Sequence, residues 1–295
     1  MTMIHPTAFV EPSAELADEV EVGPHGYVGP HVVLGRRCRL RNNVTITGHT
    51  TIGDDNVFYA NTVIGEDPQD LKYKGGPTRL EIGHRNCFRE AVTIHRGTES
   101  GRSVTTIGDD NHIMVGVHVG HDACLGNHTI IANNTLIAGH VKIEDGVTIG
   151  GGAAIQHFCT LGRYAYIAGM TRIIIDVPPF MIFAGYDGRV RGVNTVGLGR
   201  WGFDDGQVEA LRQAYQKLFP RRGRREGTTL AHALREVENN GPLDDHVAYL
   251  VAFVKRSLAD GIYGRYLEST RTDQSRTRSD FYERDEAPIN DKADA

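Results

Sequence analysis

No stretch of this 295-residue chain approaches the ~20 consecutive apolar residues that a membrane-spanning helix needs. The N-terminus has no basic-then-apolar leader pattern. A soluble chain is expected, with at most peripheral membrane contact. Cysteine is scarce, and Cys38, Cys87, Cys124 and Cys159 form no CxxC pair. That excludes a disulfide framework and favours reduced, mostly buried thiols in a cytoplasmic protein. Charge of one sign is lacking too. The net charge is -5, and from Glu268 onward eight acids face five bases, so the tail holds three of those negatives. The body is close to neutral, which argues against nucleic acid as a main partner.

What the chain does have is a period of six. An aliphatic residue or Phe occupies Ile4, Val10, Leu16 and every sixth position to Ile64, then Ile82, Phe88 and Ile94, then Ile107 to Ile173, 26 positions in all. Gly follows directly at many of them, among them Gly23, Gly53, Gly83, Gly108, Gly126 and Gly162. A helix or a simple alternating strand has a different period. A generic sandwich of Val-rich strands would give period two and irregular turn spacing. The six-residue period predicts a mainly β fold, a left-handed parallel β-helix of hexapeptide repeats.

Three hexads make one triangular turn of eighteen residues. Each sixth-position side chain points inward and stacks on its equivalent one turn away, at the ~4.8 Å spacing of paired strands. Corners call for residues that tolerate left-handed backbone angles, and Asn is the expected choice. Asn42, Asn43, Asn56, Asn86, Asn111, Asn127, Asn133 and Asn134 are candidates. Gly53–Asn56 and Gly108–Asn111 repeat the same Gly-Asp-Asp-Asn corner.

Three regions follow. Residues 1–192 form the coil, whose hexads end at Asp176-Val177-Pro178-Pro179, because proline cannot supply a ladder hydrogen bond. Residues 193–268 read as a helical domain. Asp204 or Asp205 caps a first helix carrying Val208, Leu211, Ala214, Tyr215 and Leu218. A second helix holds Leu230, Ala233, Leu234 and Val237, and a third holds Val247, Leu250, Val251, Phe253, Val254 and Leu258. Residues 269–295 are polar, charged and poor in aliphatics, and disorder is expected there. Two excursions interrupt the hexads, near 67–81 and 98–106. Asp70 and Lys72 lie in the first beside an aromatic, a natural place for ligand contacts.

Fourteen histidines is many for this length. Counting in eighteens from His121 gives Gly139 and then His157, so these three are expected in one column, with His140 flanking the middle member. An imidazole beside a glycine amide suits acyl transfer. The ring takes a proton from an attacking hydroxyl, the Gly139 N–H meets the oxyanion, and Asp122 fixes the tautomer. An alternative takes His95, His118 and His121 as zinc ligands, as in coils of the γ-carbonic-anhydrase class. It leaves the loop around Asp70 unexplained.

The strings Gln69-Asp70-Leu71-Lys72-Tyr73, Val92-Thr93-Ile94-His95-Arg96-Gly97-Thr98, His118-Val119-Gly120-His121-Asp122, Ala138-Gly139-His140-Val141, Asp176-Val177-Pro178-Pro179 and Gly192-Val193-Asn194 resemble the UDP-N-acetylglucosamine O-acyltransferases of lipid A synthesis. The resemblance covers about residues 4–215. It implies a homotrimer with sites between neighbouring coils, and transfer of a 3-hydroxyacyl group from acyl carrier protein to the sugar 3-hydroxyl of UDP-N-acetylglucosamine. It implies His121 as general base, Asp122 as its orienting partner and Gly139 as oxyanion donor. Asp70, Lys72 and His118 match sugar-binding positions, His140 an acyl contact, and Asn194 and Arg200 nucleotide-side positions. Gly169 matches the position limiting acyl length, with bulky Met170 beside it. No cofactor and no metal are implied.

Departures accompany the matches. Where the family usually reads His-Gln-Phe, this chain has Gln156-His157-Phe158, so two cleft-lining side chains exchange places. The family's glutamate two residues after the asparagine is Val196, and one arginine is Trp201. A lost carboxylate and a lost bidentate donor alter nucleotide recognition. This leaves open an O- or N-acyltransferase acting on a different sugar or amino-sugar nucleotide, and a non-catalytic nucleotide-sugar-binding paralogue. Arg221–Arg225 form a basic cluster suited to steering an acidic carrier protein, or simply a solvated loop.

Overall fold

The structure, a computed structural model, describes residues 1–220, 229–239, 242–259, 261 and 264–271. The basic cluster Arg221–Arg225 and all of the tail beyond 271 lie outside the described residues.

Short strands stack into three flat faces. Face I is an 11-stranded sheet running from Met3–Ile4 to Arg189–Val193; face II has nine strands, from Phe9–Val10 to Arg172–Ile173; face III has eight, from Glu15–Leu16 to Thr160–Leu161. Pairing within the coil is parallel, and residues eighteen apart face each other, as Met3 faces Glu21 and Leu136 faces Ala154. The two excursions are the exceptions: His49 faces Arg79 and Arg79 faces Val104. Both loops run from face II to face III, so they leave the coil at the same corner.

Every sixth-position side chain from Val22 to Ile173 is buried. Ile4 in the uncovered first turn is exposed, and Val10 and Leu16 are half-buried. A second buried set sits two residues earlier, at Val20, Cys38, Val44, Val117, Val141 and Cys159. Alternate strand residues share a face, so both sets point inward. Of the thiols expected to be buried, Cys38 and Cys159 are; Cys87 and Cys124 sit one position before the period and are only half-buried. All four are free.

The corners are left-handed, but Asn is a minority there. Of the eight candidate asparagines, Asn43 and Asn134 have positive φ. Asp110, Asp122, His128, His140, Phe158, Tyr164 and Met170 take the same conformation. Asn56, Asn86 and Asn111 instead build a buried ladder. Asn56 Oδ1 accepts from the Asn86 amides, Asn86 Oδ1 from Asn111 N–H, and Asn111 Oδ1 from Thr129 N–H and Oγ1–H. Their side chains satisfy backbone donors on neighbouring turns, which is what a buried corner needs.

Past the prolines, Met181–Ala184 adds to face I and Arg189–Val193 pairs with it antiparallel. Helix α1 (Thr195–Arg200) follows, then α2 (Asp205–Leu218), α3 (Leu230–Glu238), α4 (Asp245–Ala259) and the short α5 (Tyr266–Ser269). Asp204 caps α2 in a capping box with Gln207, and Thr229 caps α3. Leu211, Leu218, Leu234 and Leu250 form the helical core against Phe180 and Met181. Helices α1 and α5 carried no apolar period in the sequence.

Asp176 ties the two regions together. Its carboxylate accepts from Thr160 N–H at 2.7 Å, Ser257 Oγ–H at 2.7 Å and Tyr266 N–H at 2.9 Å. Burial holds the carboxyl above its ordinary value, although those donors act the other way. Asp176→Ala strands three donors and is expected to lower unfolding stability by about 2–4 kcal/mol, read by chemical denaturation. A loss no larger than that of an exposed Asp→Ala control overturns this account.

Candidate functional site

The corner between faces II and III, where both excursions leave the coil, carries most of the expected chemistry. Down this edge come the two loops, then His121-Asp122, then Gly139-His140, then His157-Phe158. The strand register that sets Leu136 opposite Ala154 and His118 opposite Leu136 makes the column.

His121 Nδ1 lies 2.8 Å from Asp122 Oδ2. That bond assigns the proton to Nδ1 and leaves Nε2 as the basic nitrogen. Asp122 is buried, and the second excursion clasps it. Thr98 N–H and Arg102 N–H donate to Oδ1 at 3.2 and 2.7 Å, and Thr98 Oγ1–H donates to Oδ2 at 2.7 Å. A Cβ on Gly101 would lie 2.5 Å from the Asp122 carboxyl, so only glycine lets the loop come this close. Burial pushes the Asp122 carboxyl up, but the bonds from His121 and Thr98 outweigh it and hold it below the ordinary carboxylate value. It therefore faces His121 as an anion. The sequence reading missed Thr98, Gly101 and Arg102: two act through backbone N–H groups, which leave no side-chain signature.

Gly139 stands directly over the His121 ring. A Cβ there would lie 2.6 Å from His121 Nε2 and Cε1, so any other residue displaces the base. Its N–H has no hydrogen-bond acceptor among the described residues. His140 meets His121 edge-on at 5.0 Å and lies flat on Phe158, with ring centroids 4.5 Å apart. From the first excursion, Asp70 Oδ2 reaches to 4.0 Å from His121 Nε2, and Lys72 Nζ lies 3.7 Å from the same carboxylate. The nitrogen freed for base work thus faces a space bounded by Gly139, Asp70 and Lys72.

His118 lies on face II with Nδ1 2.9 Å from Thr93 Oγ1; desolvation, then His95 and His121, hold it below the ordinary imidazole value. His157 is exposed at its rim. It too is held down, by desolvation first and then by Arg265, Arg271 and Lys72, with Glu268 acting the other way. Gln156 beside it is half-buried. The zinc set His95, His118 and His121 is not assembled within this chain. Among the described residues the one group with ligand atoms all within 4.8 Å is His121, Asp122 and His140. Its carboxylate is already committed to Thr98, Arg102 and His121.

The remaining expected residues lie on the other two corners. Asn194 is at the corner of faces III and I, where it caps α1: Oδ1 accepts from Gly197 N–H and Nδ2 donates to the Tyr164 carbonyl. Arg200 is exposed in the last turn of the same helix. Gly169 and Met170 sit at the corner of faces I and II, and Met170 is 78 % exposed. One chain alone cannot bring these three corners together.

Comparison with known proteins identifies the family. Residues 105–139 and 140–174 match the bacterial transferase hexapeptide repeat, and residues 176–263 match domain 2 of UDP-N-acetylglucosamine O-acyltransferase. An acyl-[acyl-carrier-protein]–UDP-N-acetylglucosamine O-acyltransferase of Anaeromyxobacter sp. is 45 % identical over 252 residues, 85 % of this chain and 96 % of that one. A namesake from Burkholderia vietnamiensis is 46 % identical over 261 residues, 87 % of this chain and 98 % of its own. The chain belongs to the UDP-N-acetylglucosamine O-acyltransferase family. The solved structure of the Bacteroides fragilis UDP-N-acetylglucosamine acyltransferase superposes with a TM-score of 0.81 at 36 % identity, covering 86 % of this chain and 97 % of that one. The Francisella novicida acyltransferase gives 0.79 at 33 %, covering 85 % and 91 %.

Within the family, this chain's departures fall into two places. Val196, 67 % exposed, and Trp201 lie on and beside α1. Trp201 packs edge-on against Tyr164 at 5.5 Å and His128 at 5.7 Å, so an aromatic contact to the coil stands where the resemblance led to the expectation of an arginine. The Gln156–His157 exchange falls instead on the corner that carries His121 and Gly139.

The Asp122 clasp has a measurable consequence. A carboxyl held below its unfolded value stabilises the fold fully above roughly pH 4 and loses that contribution as pH falls through the native value. Asp122→Asn is therefore expected to lower stability at pH 7 and to flatten the acid limb of a denaturation series. Parallel acid limbs for the two proteins would overturn the account.

Proposed function

We propose that this protein transfers a 3-hydroxyacyl group from acyl carrier protein to the 3-hydroxyl of UDP-N-acetylglucosamine. The observation that carries the reading is the assembled corner: a base with its free nitrogen beside a glycine that admits no side chain. The relatives' shared activity supports the choice of substrates.

In this mechanism His121 Nε2 takes the proton of the sugar hydroxyl as its oxygen attacks the thioester carbonyl. The Gly139 N–H donates to the oxyanion of the tetrahedral intermediate. The intermediate collapses, the C–S bond breaks, and the imidazolium returns its proton to the leaving thiolate. Asp122 stays ionised throughout and stabilises the imidazolium. Asp70, Lys72 and His118 hold the sugar, with Gln156 and His157 at the cleft's end. His140 contacts the acyl group.

A homotrimer completes the site in this reading. Asn194 and Arg200 on one corner, and Gly169 and Met170 on another, reach the base only from neighbouring copies. The outward apolar residues Ile130, Leu136, Tyr166 and Met170, exposed on faces I and II, support such an assembly. No described helix is long and apolar enough to cross a membrane; with four free thiols, a cytoplasmic location fits the reading.

Mass spectrometry of a reaction with UDP-N-acetylglucosamine and a mixed acyl-carrier-protein pool is expected to show an O-acylated nucleotide sugar. Absence of product, or an amide formed only on a 3-amino analogue, overturns the assignment. His121→Ala is expected to lower kcat by a factor of about 10²–10⁴. Gly139→Ala, which displaces the ring, is expected to lower it roughly a hundredfold. Full activity in either variant removes the base or the glycine from the mechanism.

A further inference from the structure

The match to domain 2 of the family ends at residue 263. The chain beyond it comes back to the catalytic corner. Gly264 accepts from Asp176 N–H, Arg265 Nη1 donates to the Ile174 carbonyl, and Tyr266 N–H donates to Asp176, so residues 264–266 dock on the coil turn directly after Phe158. The docking is built rather than incidental. Arg265 and Glu268 are both buried and paired at 3.1 Å, and Arg271 joins the same carboxylate at 3.1 Å. Burying a guanidinium and a carboxylate is tolerated only with partners in place.

This segment then becomes part of the site. The Arg271 guanidinium lies 5.2 Å over the Phe158 ring, which also stacks on the His140 imidazole and meets His157 edge-on at 5.6 Å. Leu267 and Thr270 close one side of a cavity of about 310 Å³ whose floor is Asp122 and His140. Its remaining walls carry the apolar Val141 and Phe158 together with the cationic Arg102 and Lys142.

We propose that Leu267–Arg271, lying past the matched residues, forms a wall of the subsite for the thioester donor's arm. The proposal rests on the acyl-transfer reading given above. The cavity reaches Asp122, the partner of the base, and His140, has an apolar side, and presents two cations. That matches an acylated phosphopantetheine arm, with its chain against Leu267 and Phe158 and its phosphate near Arg102 and Lys142. The acceptor's groups Asp70 and Lys72 are absent from the lining of this cavity, so the wall bears on the donor and not on the sugar.

Two measurements test this. In steady-state kinetics Leu267→Ala is expected to raise the donor KM about tenfold, the size of one lost apolar contact, and to leave the acceptor KM within about twofold. Leu267→Met, close in volume, is expected to restore the donor KM. In calorimetry an acyl-phosphopantetheine thioester is expected to bind the unaltered protein and to bind Leu267→Ala about tenfold more weakly. That second readout needs no turnover: weakened binding without product formation from UDP-N-acetylglucosamine removes the proposed reaction and keeps the donor wall. An unchanged donor KM and affinity, or a rise shared equally by both substrates, overturns the wall. A lower donor KM in Leu267→Ala also overturns it, because the segment would then be a strap that blocks the site.

Discussion

The parallel register of eighteen residues per turn is the constraint on which everything else depends. Each turn is covered by the next, and the aliphatic stack from Val22 to Ile173 leaves no room for an extra residue along a face. An insertion can leave only at a corner. The two that occur leave at the same corner and in adjacent turns, immediately before the turn that carries His121. Registry therefore does for this site what tertiary packing does in a compact enzyme: it aligns groups far apart in sequence, at one strand spacing per turn. The open end of the ladder is closed by the antiparallel strand Arg189–Val193 and by the helices, which remove an edge that would otherwise recruit other chains.

Electrostatics at that corner is arranged around one buried anion. Asp122 is desolvated, which alone would favour its neutral form, and it remains ionised because donors from the 98–102 loop and His121 surround it. An anion fixed in this way needs no rearrangement when His121 gains a proton, and its attraction for the imidazolium is strong where water is excluded. The same bond turns the ring so that Nε2 faces the space beside Gly139. The left-handed backbone at Asp122, φ 58°, is what turns its side chain back toward its own neighbour and the loop. Corner conformation and catalytic geometry are one feature here.

The fold was legible because the period is long and regular, and the column from His121 to His157 was legible because counting in eighteens is the same operation as the strand register. The choice of corner residues was not. Asn was expected, yet the buried turns use Asn56, Asn86 and Asn111 to satisfy backbone donors and place Asp, His, Tyr and Phe in the left-handed positions. The clasp on Asp122 was equally hidden, since Thr98 and Arg102 contribute backbone N–H groups whose direction depends on loop shape. Helix α5 escaped because four residues cannot display a helical period, and its anchors, Asp176 and the Ile174 carbonyl, lie some ninety residues earlier.

The distribution of residues over three corners also bears on how this chain departs from its family. Val196 and Trp201 are attached to the corner that holds Tyr164 and His128, while the base and its anion stand on another. Among the described residues no hydrogen bond or ring contact joins Val196 or Trp201 to His121 or Asp122, and in the proposed trimer the two corners meet across an interface. A side chain on that corner can therefore change without moving His121, Asp122 or Gly139. Gln156 and His157 have no such freedom. They share the catalytic column, His157 feels both Lys72 from the first loop and Arg271 from the far segment, and Phe158 beside it carries His140. An exchange at these positions alters the field along the groove in front of His121. Of the two sets of departures, this pair is the one that bears on the proposed base, while the other stands at a distance from it.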